Sequence, residues 1–161
     1  MRNIVKVGMA DLNIVCDPGM LTTLGLGSCV GIALFDTFSR IGGLAHIMLP
    51  DSTQVKNNTN KAKFADTAIV ELIDLMCRAG ARRGNIRAKI AGGSQMFSFA
   101  QNSEVMRIGE RNVIATKTVL AKLAIPILAE DTGGNYGRTI ELYTETGVLL
   151  VKTIGSGIKQ L

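Results

Sequence analysis

An α+β domain is the fold class that this 161-residue chain predicts, on three observations. The first half is a series of short apolar runs punctuated by turn signals. One later stretch carries apolar residues at helical spacing, and a second, shorter helical stretch is stopped by a proline. Hydrophobic residues make up 47% and charged residues 19%, which excludes disorder, and 18 glycines point to many tight turns. The length suits one domain, residues 1–161, that buries a core without staples.

The elements follow in order. Residues 4–7 and 12–15 are apolar and β-branched, predicting strands, with Asp17-Pro18-Gly19 as a turn signal after them. Residues 21–26 predict another strand, leading into Gly25-Leu26-Gly27-Ser28-Cys29, a bend where two glycines permit dihedrals that other residues resist. The apolar runs 29–35 and 41–49, joined by polar residues 36–39, predict an antiparallel hairpin that ends at Pro50-Asp51. Residues 52–63 are polar and without periodicity, an expected exposed loop.

Residues 64–79 predict the best helix, because Ala65, Ala68, Ile69, Leu72, Ile73 and Met76 form one apolar stripe. Asp66 and Arg78 suit its macrodipole and Gly80 suits its C′ position. Residues 87–91 predict a short strand followed by a turn at Gly92-Gly93-Ser94. A second helix is expected over 110–123, with Val113, Ile114, Leu120 and Ala124 inward and Pro126 preventing its continuation. Residues 127–129 are again strand-like. A last hairpin is expected from 139–143 and 148–154 around Thr144-Glu145-Thr146-Gly147.

Composition narrows the function classes. No apolar stretch reaches the roughly 18 residues of a spanning helix, and residues 1–6 hold no signal-peptide core, so a cytoplasmic protein without membrane insertion is expected. Cys16, Cys29 and Cys77 are odd in number and lack C-x-x-C spacing. Neither a disulfide framework nor a zinc site of the usual spacing is expected, and no metal or cofactor. The net charge is +5, but the basic residues are dispersed without interleaved aromatics, a weak signal for nucleic acid. An acidic protein surface suits such a charge equally well.

One pair of residues carries chemistry. A hairpin turn centred between Thr37 and Phe38 would set Cys29 directly opposite His46, the only histidine, with Cβ atoms ~4.5–5.5 Å apart. That is a nucleophile–base arrangement, in which imidazole converts thiol to thiolate and later protonates a departing amine. A slip of one residue would turn one side chain to the other face. Gly27 and Ser28 frame the bend where the N–H of Cys29 and a neighbouring N–H can point at a developing oxyanion. Thr23, in a neighbouring strand, can accept the second imidazole N–H, with Ser28, Asp36 and Asp51 as competitors. Cys77 adjoins the apolar stripe of the first helix, and Cys16 precedes a turn with no histidine in reach. The paired glycines at 92–93 and 133–134 lack the spacing of a phosphate loop and read as tight turns. Met96, Phe97 and Phe99 read either as core or as an apolar rim that docks a partner helix.

Thr23-Leu-Gly-Leu-Gly-Ser-Cys-Val30 followed by Ala45-His-Ile-Met-Leu-Pro-Asp51 resembles the signature of the CheD family, the chemoreceptor glutamine deamidases of bacterial and archaeal chemotaxis. The resemblance extends through Lys89-Ile-Ala-Gly-Gly93, Ile108-Gly-Glu-Arg-Asn112 and Leu128-Ala-Glu-Asp-Thr-Gly-Gly-Asn135. It implies a nucleophile at Cys29, a histidine at His46 and an orienting threonine at Thr23. It also implies a three-layer α/β/β sandwich similar to the catalytic domain of cytotoxic necrotizing factor toxins. The implied activity is hydrolysis of receptor glutamine amides to glutamate through a cysteine thioester, with ammonia released. The implied partners are the chemoreceptor helical bundle and CheC, a phosphatase that CheD proteins bind and stimulate; Phe97 and Phe99 are candidate CheC contacts. A monomer that does not bind nucleic acid is expected. Alternatives are a mainly non-catalytic CheC partner, or a receptor transamidase or methylesterase using the same Cys/His pair; a basic nucleic-acid binder is the weakest reading.

Overall fold

A computed structural model describes residues 1–96 and 107–161. The strands are β1 (Asn3–Lys6), β2 (Asp11–Cys16), β3 (Gly19–Leu26), β4 (Val30–Asp36) and β5 (Ile41–Ile47). After helix α1 (Ala65–Arg78) come β6 (Arg87–Gly92), helix α2 (Ile108–Lys122), β7 (Ile127–Thr132), β8 (Arg138–Tyr143), β9 (Leu149–Thr153) and β10 (Gly157–Gln160). They form two mixed five-stranded sheets, ordered β1-β3-β8-β9-β10 and β2-β5-β4-β6-β7. Among the described strands, only β1–β3 and β6–β7 pair in parallel. The fold is α+β, as expected.

Side-chain alternation on β4 and β5 builds the layers. Val30, Ile32, Leu34, Ala45 and Ile47 pack with the α1 stripe, while Ala33, Phe35 and Leu44 pack with Leu21, Ile140 and Leu142 of the other sheet. Both strands are buried throughout, which is why each reads as a continuous apolar run. The expected stripe of α1 is the buried one. Its C-terminus closes with Ala81 N donating to Met76 O (2.9 Å) and Gly80 N to Cys77 O (3.1 Å), with Gly80 at φ 120°. This is the double bond of a Schellman cap.

Four expectations are corrected. The β4–β5 hairpin turns between Phe38 and Ser39, with Asp36 paired to Ile41 and Gly31 to His46. Asp36 is therefore the last residue of a strand, not the first of a loop, and its carboxylate builds the turn. Oδ1 accepts from Phe38 N (2.9 Å) and Ser39 N (3.2 Å), and Oδ2 from Arg82 N (3.0 Å). Burial alone would raise this carboxyl's pKa, but the N–H donors outweigh it and hold it below 3.8. The stability it contributes is present above 3.8 and lost as pH falls through the lower folded value. Asp36→Ala leaves three N–H groups without their acceptor and is expected to cost about 2–4 kcal/mol, read as a lower urea midpoint.

Residues 52–63 are not simply an exposed loop. They hold two 3₁₀ turns, Ser52–Gln54 and Lys61–Lys63, and Ser52 is buried, donating from N (3.0 Å) and Oγ (2.6 Å) to Asp66 of α1. The inner face of α2 is Gly109, Asn112, Thr116 and Leu120; Ile114 is 56% exposed, and Ala124 lies past the helix, exposed, at φ 57°. That face packs beside backbone turns rather than only on aliphatic side chains, so hydropathy misleads there. Finally, β10 is an additional, fully exposed edge strand on β9. No helix among the described residues is long and apolar enough to cross a membrane.

Candidate functional site

Cys29 lies one residue before β4, beyond the last ladder pair, Val30 with Ile47. Because Gly31 faces His46, Cys29 and His46 are diagonal rather than direct neighbours. The expected register is wrong by two residues, which preserves the face. Both side chains point between the sheets, Cys29 at 7% and His46 at 1% exposed. Diagonal pairs stand ~7–8 Å apart at the backbone, within reach of a long side chain. Gly31 leaves the place opposite the ring without a side chain. Ile140 and Leu26 fill the space, since a Cβ there would meet Ile140 Cδ1 at 2.5 Å.

Thr23, on β3 of the opposite sheet, reaches across to the imidazole. Its Oγ1 lies 2.7 Å from His46 Nδ1 and 2.7 Å from Val7 O. The Val7 carbonyl can only accept, so it takes the single hydroxyl hydrogen, and Nδ1–H must then donate to Oγ1. That assigns the tautomer. Nε2 carries the lone pair and has no hydrogen-bond partner among the described residues. Of the competitors for this role, Asp36 is committed to its turn, and Asp51 caps the turn at 52–54 by accepting from Thr53 N (2.9 Å). The Ser28 hydroxyl makes no hydrogen bond to the ring.

Electrostatics favour two neutral groups. Burial pushes the Cys29 thiol above 9.0, against a smaller opposing effect from its own backbone N–H beside the sulfur. Burial also pushes the His46 imidazole below 6.5. The resting site is thus thiol plus imidazole, not thiolate plus imidazolium.

The bend before Cys29 is held by its carbonyls. Ser94 N donates to Gly27 O (2.9 Å), Gly93 N to Cys29 O (2.8 Å), and Asn112 Nδ2 to Ser28 O (2.9 Å). Gly92, at φ 113°, permits this approach; a Cβ there would sit 2.3 Å from Cys29 O. Gly93, at φ 68°, is equally constrained, with Val113 Cγ2 at 2.2 Å. The paired glycines at 92–93 are thus a tight turn that grips the cysteine loop. Behind it the buried Arg138 donates to Ser94 Oγ (2.8 Å) and pairs with Asp131 (3.2 Å). Sequence reasoning missed Asn112, Ser94 and Arg138 as site residues; Asn112 closes one of the resembling segments, Ser94 was signalled only as part of the turn after Gly93, and Arg138 lies outside those segments.

Two apolar side chains flank the site, Leu24 at 65% and Met96 at 47% exposed, the latter against Gly27. Met96 therefore belongs to a rim, while Phe97 and Phe99 lie outside the described residues. A cleft of about 220 Å³ is lined by Lys6, Val7, Gly8, Thr22, Thr23 and Leu24. A larger hollow of about 350 Å³, beside Gly93, Glu110 and Gly133, includes neither Cys29 nor His46. Cys16 is exposed and Cys77 half-buried.

The family model for CheD chemotactic sensory transduction matches residues 48–153. A "Probable chemoreceptor glutamine deamidase CheD" of Caldanaerobacter subterraneus is 61% identical over 98% of both chains. The chain belongs to the CheD family. Further CheD relatives are a "Chemoreceptor glutamine deamidase CheD" of Halalkalibacterium halodurans, 53% identical over the whole of both chains, and a "Probable chemoreceptor glutamine deamidase CheD" of Lachnoclostridium phytofermentans, 55% identical over the same extent. Among solved structures, the Bacillus licheniformis hypothetical protein YfiH aligns with 70% of this CheD chain and 46% of its own. Its TM-score is 0.42 at 15% identity.

Proposed function

We propose that this protein deamidates glutamine side chains on chemoreceptors, with Cys29 as nucleophile, His46 as base and acid, and Thr23 as the group that orients the ring. The observation that carries the reading is the free Nε2 lone pair of a buried histidine, with its tautomer set by Thr23, diagonal to a buried cysteine. Nε2 takes the thiol proton as sulfur attacks the amide carbon, and the oxyanion faces the N–H of Cys29 and a neighbour at Gly27 or Ser28. The imidazolium gives that proton to the leaving nitrogen, ammonia departs, and a γ-glutamyl thioester remains. Water, deprotonated by Nε2, then hydrolyses the thioester to glutamate and free thiol. An Nε2 without a hydrogen-bond partner at rest suits a couple that tightens only when substrate is bound.

The exposed Leu24 and Met96 suit the surface of a receptor helix, and a side-chain amide projecting from it can reach the thiol while the helix's peptide bonds stay tied up. The test is mass spectrometry of a receptor cytoplasmic fragment after incubation with the protein. Glutamine-to-glutamate conversion with ammonia release is expected. Incorporation of an added amine would point instead to a transamidase, and loss of receptor methyl esters to an esterase. The wider reading includes a cytoplasmic monomer that binds and stimulates CheC, and a fold like that of the cytotoxic necrotizing factor catalytic domain. Superposing the two Cys–His couples tests the latter.

Two neutral partners make a definite pH prediction. Activity requires unprotonated His46 and protonated Cys29, so kcat/KM is expected to follow a bell with its acid midpoint below 6.5 and its alkaline midpoint above 9.0. It falls on the acid side as His46 gains its proton, and on the alkaline side as the thiol ionises. An acid limb centred above 6.5 would contradict the assignment.

A further inference from the structure

The side chain of Asn112 is fully buried on the inner face of α2. Its amide nitrogen donates to Ser28 O (2.9 Å) and to Met48 O (3.0 Å). Both partners are carbonyls that only accept, so both hydrogens of the NH₂ group are committed and the orientation of the amide is decided. Ser28 immediately precedes the cysteine. Met48 follows His46 by two residues, just past the end of β5.

The placement matters because backbone pairing stops short of the site. The β4–β5 ladder ends at Val30 with Ile47, so nothing in it fixes Ser28 and Cys29 against residues 47–48. Gly93 N and Ser94 N tie the cysteine loop to the β6 side. Among the described residues, Asn112 is the side chain that ties that loop's carbonyls to the β5 side. We propose that Asn112 is a positioning residue of the cysteine–histidine couple, one amide that sets the span between nucleophile and base. The role rests on the cysteine-hydrolase reading above, but its test does not need the receptor.

The experiment measures alkylation of Cys29 by iodoacetamide as a function of pH, in a Cys16→Ser/Cys77→Ser background so that one thiol reports. In that parent, the rate is expected to carry an inflection where His46 titrates. Asn112→Asp keeps the shape but has at most one hydrogen, so it holds at most one carbonyl. The inflection should disappear, and kcat for ammonia release should fall about tenfold with KM little changed. Thr116→Val, one turn further along the same buried face, should leave both readouts unchanged. A folded Asn112→Asp or Asn112→Ser with the parent's inflection and kcat overturns the proposal. So does failure of both variants to fold while Thr116→Val folds, since Asn112 is then structural. A parent that deamidates no receptor glutamine yet shows the His46 inflection defeats the substrate reading alone, and Asn112 is then judged on alkylation.

Discussion

Cys29→Ala brings ammonia release from a receptor fragment down to background, an expected loss of roughly 10⁴-fold or more, while the protein stays folded. The loss is large because the proposed acyl bond forms on the Cys29 sulfur, and the remaining N–H donors can only polarise a bound amide. The fold persists because what anchors residues 27–29 is carbonyls, bonded to Ser94 N, Asn112 Nδ2 and Gly93 N, none of which involves the sulfur. Removing one buried sulfur costs about 1 kcal/mol in packing. Cys16→Ser and Cys77→Ser should retain full activity. CheC binding by Cys29→Ala would show that recognition is independent of the nucleophile. A folded Cys29→Ala that still released ammonia would place the chemistry elsewhere, and a folded parent with no activity would leave CheC binding as the main function.

Thr23→Val is the second large effect, an expected fall of roughly 10²–10³-fold in kcat. Valine has the same shape but offers Nδ1–H nothing to donate to, and burying that donor costs about 1–3 kcal/mol. The proton then shifts to Nε2, and the lone pair that should meet the thiol points the wrong way. Thr23→Ser keeps an oxygen in place and should recover most of the rate. Nitrogen NMR of the single histidine reads the tautomer directly: Nδ1-protonated in the parent, Nε2-protonated in Thr23→Val. A parent rate in Thr23→Val, or the same tautomer in both, would remove Thr23 from the site.

Much of this architecture was legible. The α1 stripe, the central hairpin and the turn at 144–147 each have local signals of the right period, and the structure places them within a few residues of expectation. The hairpin shows where local reasoning stops. Asp36 looks like the start of a polar loop, yet it is a strand end whose carboxylate folds the turn, and that displaces every pair by two. Parity survived because the side-chain period is also two, so Cys29 and His46 stay on one face. The sequence left four side chains to choose from beside His46, because Thr23 meets it across two sheets and no local pattern reports such contacts. Asn112 was invisible for a related reason. An asparagine on a helix reads as solvent-facing, and only the assembled layers reveal the two carbonyls beneath it.

The hydroxyl and the ring it steers belong to separate sheets, and the bond between them is a side-chain one that crosses the sandwich. Any small sliding of one slab over the other should therefore detune the proposed proton relay before a single strand is lost. Heating, or weakened aliphatic packing far from the thiol, should silence turnover at temperatures where circular dichroism still records an intact β-structure.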